Sequence, residues 1–197
     1  MIKSQYNGKR LSVTNLLSYL QEQYPEKAVI CNKEKLLKVN AYTQDKFGED
    51  NDCALCAVMT ICKYYASSVS AEEIYSIVEK NAKALGYRNK WGTFMGIQRL
   101  LLQRSLNDLG IPQDARKLIC CHDHDKIKNI IDTGHPILLS FLSDGRNYYG
   151  SHSVTIVGYK DFDINGTTKT VYKIYDNWTK NISYIDLDNF FINLLVY

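Results

Sequence analysis

Long apolar runs are missing from this 197-residue chain, and no segment approaches the ~20 residues that would carry a helix across a bilayer. Residues Met1 to Arg10 are polar, and the apolar stretch after them is broken by Ser, Thr and Asn. No secretory signal is therefore expected here. The expected location is the cytosol, or the exterior with an export segment outside this sequence. Clustered positive charge is missing too: 24 basic against 21 acidic side chains leave +3, with no long basic run. Nucleic acid is not an expected partner, because displacing phosphate counterions takes clustered Lys and Arg. Proline occurs three times, at Tyr24-Pro25, Ile111-Pro112 and His135-Pro136. Each marks an element boundary. Repeats and low-complexity segments are absent.

What is present suits one folded domain with an N-terminal extension over residues 1–43. Apolar content is 45% and charged content 23%, ordinary for a globular chain large enough to bury a core. The fifteen tyrosines read as compositional habit or as surface for extended polymers. Six cysteines include the adjacent pair Cys120-Cys121, and the set reads as reduced thiols rather than a disulfide framework.

Periodicity predicts a helix over 11–24, a short strand near 28–31 and a loop over 44–51. Asp52 is the expected N-cap of a helix whose apolar face carries Leu55, Val58, Met59, Cys62 and Tyr65. Ser70 and Glu73 form a capping box for a second helix, closed by Gly86. Residues 93–109 predict a third, closed by Gly110. After Ile111-Pro112 the pattern changes to strands over 116–121, 136–142, 152–159, 171–175 and 182–185, with a short helix over 125–132. Turns are expected at Asp144-Gly145 and Asn165-Gly166. Helices first and strands second predict an α+β fold whose two halves meet at a cleft.

The stretch DNDCALC raises the chemical question. Cys53 follows the expected cap, where a helix dipole and free backbone N–H groups stabilise a thiolate. Cys56 lies a turn further in, where packing dominates. A nucleophilic Cys53 needs a base and the base needs an orienting group. Among four histidines, His122 and His124 lie in a polar turn and His135 precedes proline, whereas His152 opens a strand in GSHSVTIVGYKD. Asp176 closes a later strand in KIYDNW. A histidine at the start of one strand and a carboxylate at the end of its antiparallel neighbour would meet across the hairpin, fixing the imidazole tautomer.

That order of motifs resembles the papain-like cysteine peptidases, in particular their bacterial C39-like branch. DCALCAVMTICKYY is similar to the branch's cysteine helix, WGTFMGIQRLLLQRSLNDLGI to its Gly-Thr helix, GHPILLSFL to its Gly-x-Pro strand and GSHSVTIVGYKDF to its histidine strand. The resemblance covers about 44–178. It implies a papain-like fold, with an N-terminal helical half packed on a C-terminal antiparallel sheet. It also implies Cys53 as nucleophile, His152 as general base and acid, and Asp176 as orienting residue. The substrate would be a peptide or protein, and neither metal nor cofactor is implied. Trp178 is expected to shield the His–Asp pair. Two departures stand out. Ala54 replaces the family's frequent Gly, and Phe47 occupies the usual place of the oxyanion glutamine. Gln44 and Asn51 are the nearby candidates for that donor, beside the Cys53 N–H. Losing one such donor costs ~10²–10³ in rate, so a weak or inactive binding module is the alternative, as is an acyltransferase. C-A-L-C also fits a thiol-disulfide redox motif, but the preceding strand of a βαβ unit is missing. Cys31, Cys56, Cys62, Cys120 and Cys121 are expected to pack as small hydrophobes. The run CCHDH lacks a second ligand pair and is expected to be a surface turn.

Overall fold

The computed structural model describes residues 10–44, 51–88, 90–119, 122–142, 148–190 and 192–197. Three expectations fall outside these residues: Phe47, the Cys120-Cys121 pair and the Asp144-Gly145 turn. Among the described residues, five helices, α1 (Leu16–Gln23), α2 (Cys53–Tyr65), α3 (Ala71–Ala84), α4 (Gln98–Asp108) and α5 (His124–Asp132), accompany one antiparallel sheet. Its strands are β1 (Val29–Leu36), β2 (Lys117–Ile119), β3 (Ile137–Phe141), β4 (His152–Ile164), β5 (Thr167–Tyr175), β6 (Ser183–Ile185) and β7 (Ile192–Val196). They run in the order β2-β7-β3-β4-β5-β6, with β1 also paired to β4. The long β4 takes β3 along its first half and β1 along its second, on the same edge. Gly158 sits where β1 comes in: a Cβ there would lie 2.2 Å from the Lys35 carbonyl oxygen, so only glycine fits.

Helix α2 is the spine of the core. Residues 54–62 are all buried, as expected for a helix that is apolar on nearly every face. Thr60, the polar exception, donates to the Cys56 carbonyl at 2.8 Å. Alternation on β3 splits the packing. Leu138 joins α2, α3 and α4 in one cluster, while Ile137, Leu139 and Phe141 join the α5 residues Ile127, Ile130 and Ile131 in another. A third cluster packs α1, through Leu16, Tyr19 and Leu20, against Phe162, Ile164, Val171 and Tyr184.

The predicted capping box is present, with the Ser70 hydroxyl accepting from the Glu73 N–H at 3.1 Å. Gly86, Gly110 and Gly134 take positive φ at the ends of their helices, and Asn165-Gly166 turns β4 into β5 with both φ positive. Several boundaries differ. The first helix begins at Leu16 because Leu11 is drawn into a bridge with Tyr184. The third predicted helix begins at Gln98, after a 3₁₀ turn over Met95–Ile97. Strand β1 extends to Leu36, although its residues are mostly exposed, and β7 was not expected at all. Asp52 holds the N-cap position of α2 without a capping bond from its side chain. Its φ of −101° and ψ of 17° depart from the extended cap conformation.

Candidate active site

Cys53 is the first residue of α2 and is half-buried. Its carbonyl accepts from Asn177 Nδ2 at 2.9 Å, and the same amide donates to the Ser153 carbonyl at 2.7 Å. Asn177 is fully buried at φ 64°, and its own carbonyl accepts from the Gln44 N–H at 2.8 Å. One residue thus ties together the start of α2 and the start of β4 through its side-chain amide, and the loop that carries Gln44 through its main-chain carbonyl. Asn51 lies exposed, with its carbonyl next to Gly92.

The Cys53 thiol meets Ser153. Burial pushes it above the ordinary thiol range, Asp52 adds to the rise, and hydrogen bonds from the Ser153 backbone and hydroxyl and the Ala54 backbone oppose it. Behind Ser153 lies a closed polar cluster. Gln98 Nε2 donates to Ser153 Oγ at 3.2 Å, the Ser140 hydroxyl donates to Gln98 Oε1 at 2.5 Å, and the two serine oxygens are 2.8 Å apart. All three residues are buried. With Ser140's hydrogen on Gln98, the Ser153 hydroxyl is the one free to donate between the two serines.

His152, also buried, opens β4. Its Nε2 lies 2.8 Å from the Asp176 main-chain carbonyl. A carbonyl only accepts, so Nε2 carries the proton and Nδ1 keeps its lone pair. Burial holds the imidazole below its ordinary 6.5, against the opposing pull of the Asp176 carbonyl and charge. The ring is boxed in by aromatics: Tyr149 stacks on it at 5.7 Å, Trp178 lies at 4.8 Å and Phe141 at 6.3 Å between centroids.

The Asp176 carboxylate faces elsewhere. Arg10 Nε donates to Oδ2 at 2.5 Å and the Ser183 hydroxyl donates to the same oxygen at 3.0 Å. The N–H groups of Trp178 and Thr179 donate to Oδ1 at 3.2 and 3.3 Å. The structure therefore corrects the expected carboxylate–imidazole contact: Asp176 meets His152 through its main chain, because its side chain is occupied in building the turn after β5. Cys53 likewise comes against Ser153, the neighbour of His152, and among the described residues no hydrogen bond joins thiol to imidazole. Ser153 and Thr155 face α4 and α2, whereas Val154 and Ile156 pack in the α5 cluster.

The other expected residues fall as follows. Cys56 is buried, its thiol 3.6 Å from Asp52 Oδ2, and Cys62 is buried with its thiol pushed up to about 12. Cys31 is exposed on the edge strand β1, most of whose residues are exposed, which corrects its assignment to packing. These cysteines and Cys53 are free thiols. His124 stands at the start of α5, bonded to the Tyr172 hydroxyl at 2.9 Å and to Asp188 at 3.1 Å. Trp178 is 41% exposed over the His152 ring, beside the exposed Tyr148. Sequence reasoning did not single out Arg10, Ser153, Asn177, Gln98 or Ser140. The DNW triplet adjoining Asp176 was the available signal for Asn177; the remaining roles arise from contacts distant in sequence.

The family model described as "Peptidase_C39 like family" matches residues 36–193. No curated protein sequence matches the chain. Among solved structures, a protein from Bacillus anthracis described as a "putative C39-like peptidase" superposes with a TM-score of 0.55 at 13% identity, covering 84% of this chain and 98% of that one. The fold is therefore similar to that of the C39-like, papain-like proteins.

Proposed function

Because this chain belongs to the peptidase C39-like family, we propose that it is a cysteine peptidase or amidase acting on a peptide or protein through a thioester on Cys53. His152 Nδ1 takes the proton of the Cys53 thiol as the sulfur attacks the carbonyl carbon of the substrate. The tetrahedral oxyanion is held by the Cys53 N–H and by Gln44 or Asn51. Collapse breaks the C–N bond, and His152 returns its proton to the leaving amine. Water, deprotonated by His152, then attacks the thioester and frees the acid and the thiol. Asp176 orients His152 through its carbonyl, and Trp178 keeps water from the pair. No cofactor is needed for these steps.

The observation that carries this reading is the imidazole bonded at Nε2 to Asp176, which leaves Nδ1 as a base on the residue next to the Ser153 that meets the Cys53 thiol. Burial of both groups favours the neutral pair at rest, so proton transfer accompanies attack rather than preceding it. The test is an electrophilic cysteine-peptidase probe. It labels Cys53 in preference to the exposed Cys31, and His152→Ala abolishes the preference. A second reading, a binding module without turnover, is favoured by the buried neutral thiol and by the missing thiol–imidazole bond. That reading predicts labelling of Cys31 alone.

A further inference from the structure

We propose that Arg10 is a positioning residue for the chemistry of Cys53 and His152, a role that rests on the reading above. Arg10 lies outside the family-matched residues 36–193, in a segment bound to the sheet edge through the Leu11–Tyr184 bridge. Its guanidinium reaches the end of β5 and spans the turn there, with Nε on Asp176 Oδ2 at 2.5 Å and Nη2 on Thr179 Oγ1 at 2.7 Å. Asp176 is completely buried, and a lone carboxylate in such a place is costly.

Two consequences follow for His152. First, with Arg10, Ser183 and two backbone N–H groups as donors, the carboxylate is held away from the ring and the turn presents the Asp176 carbonyl to Nε2. Second, Arg10 neutralises the negative charge nearest the imidazole. Of the titratable and charged groups around this corner, Asp176 acts on the ring directly, Tyr149 stacks on it, Arg10 acts on Asp176 and Tyr149, and Cys53 with Asp52 lies at the start of α2. Arg10 is the cation of that set. Without it, the Asp176 charge acts unopposed and raises the imidazole. The segment before the family-matched region thus completes the active site.

The test follows the His152 ring by NMR titration in the full-length chain as wild type, Arg10→Lys, Arg10→Ala and Arg10→Gln. The glutamine variant keeps amide donors for Asp176 and Thr179, and replaces Arg10→Ala as the readout should the latter fail to fold. Removing the charge is expected to raise the His152 midpoint by at least about half a pH unit, and Arg10→Lys to return it towards wild type. For peptide hydrolysis the acid limb of the rate profile rises with it, and kcat falls while KM holds. A wild-type midpoint in the folded neutral variants overturns the proposal. Because the titration needs no turnover, a shifted midpoint in a protein whose Cys53 never reacts overturns the peptidase reading, and with it any catalytic use of Arg10, while the electrostatic link from Arg10 to His152 stands. An unshifted midpoint in a reactive enzyme overturns the Arg10 role alone.

Discussion

Ser153 stands one position after the histidine, and strand alternation turns it towards the helices, where its hydroxyl meets the Cys53 thiol and the Gln98–Ser140 pair. A thiolate accepts a hydrogen bond better than a thiol does, so that hydroxyl favours ionisation. Ser153→Ala should slow Cys53 alkylation by iodoacetamide at neutral pH by about tenfold, the worth of one charge-assisted hydrogen bond, and move the pH profile upward. An unchanged profile would separate Ser153 from the nucleophile. Gly158→Ala should cost about 1–3 kcal/mol in urea unfolding, since its Cβ would collide with backbone that cannot swing aside. Cys53, His152 and Asp176 could be proposed from the sequence because their motifs occur in a characteristic order. Their contacts were not: the carboxylate of Asp176 was drawn off by Arg10, and no local pattern links residues 166 positions apart.

Helices announced themselves through caps and periodicity because those signals are local. The Ser70 cap of α3 should lose about 1 kcal/mol of stability on Ser70→Ala, measured by chemical denaturation. A cost near zero would mean that water replaces the hydroxyl without penalty. Strand β1 was read too short because an exposed edge strand carries the Lys and Glu that mask alternation, and pairing with β4 alone holds it in the sheet. Strand β7 is placed by β2 and β3, which flank it. Only tertiary pairing distinguishes such a segment from a loop, and the helical start at Leu16 was displaced by the same kind of long-range bridge.

Across the whole molecule, burial sets the response to acid. His152 has its folded pKa depressed below 6.5, so the unfolded chain binds the proton first, and stability falls as pH drops below about 6.5, by at most ~1.4 kcal/mol per pH unit. The carboxyls of Glu34, Asp132 and Asp188 are also depressed, by Lys173, by Tyr159 with Lys33, and by Lys169 respectively. Their contribution is present above the ordinary carboxylate range and is lost below it. Melting temperatures should therefore fall in two stages on acidification, with the first stage missing in His152→Ala; a single stage shared by both proteins would contradict this. The α+β plan was legible from the order of helical and strand patterns, and the contact of Arg10 with Asp176 and Thr179 was not. Under the proposed function Cys53 carries the acyl group. The most direct measurement of that is intact-protein and peptide mass spectrometry after mixing with an activated peptide ester. A single acyl adduct on Cys53 that decays with time, and that fails to form in His152→Ala, is expected. Acylation spread over Cys31 and Cys53 alike, or none in the wild type, would contradict it.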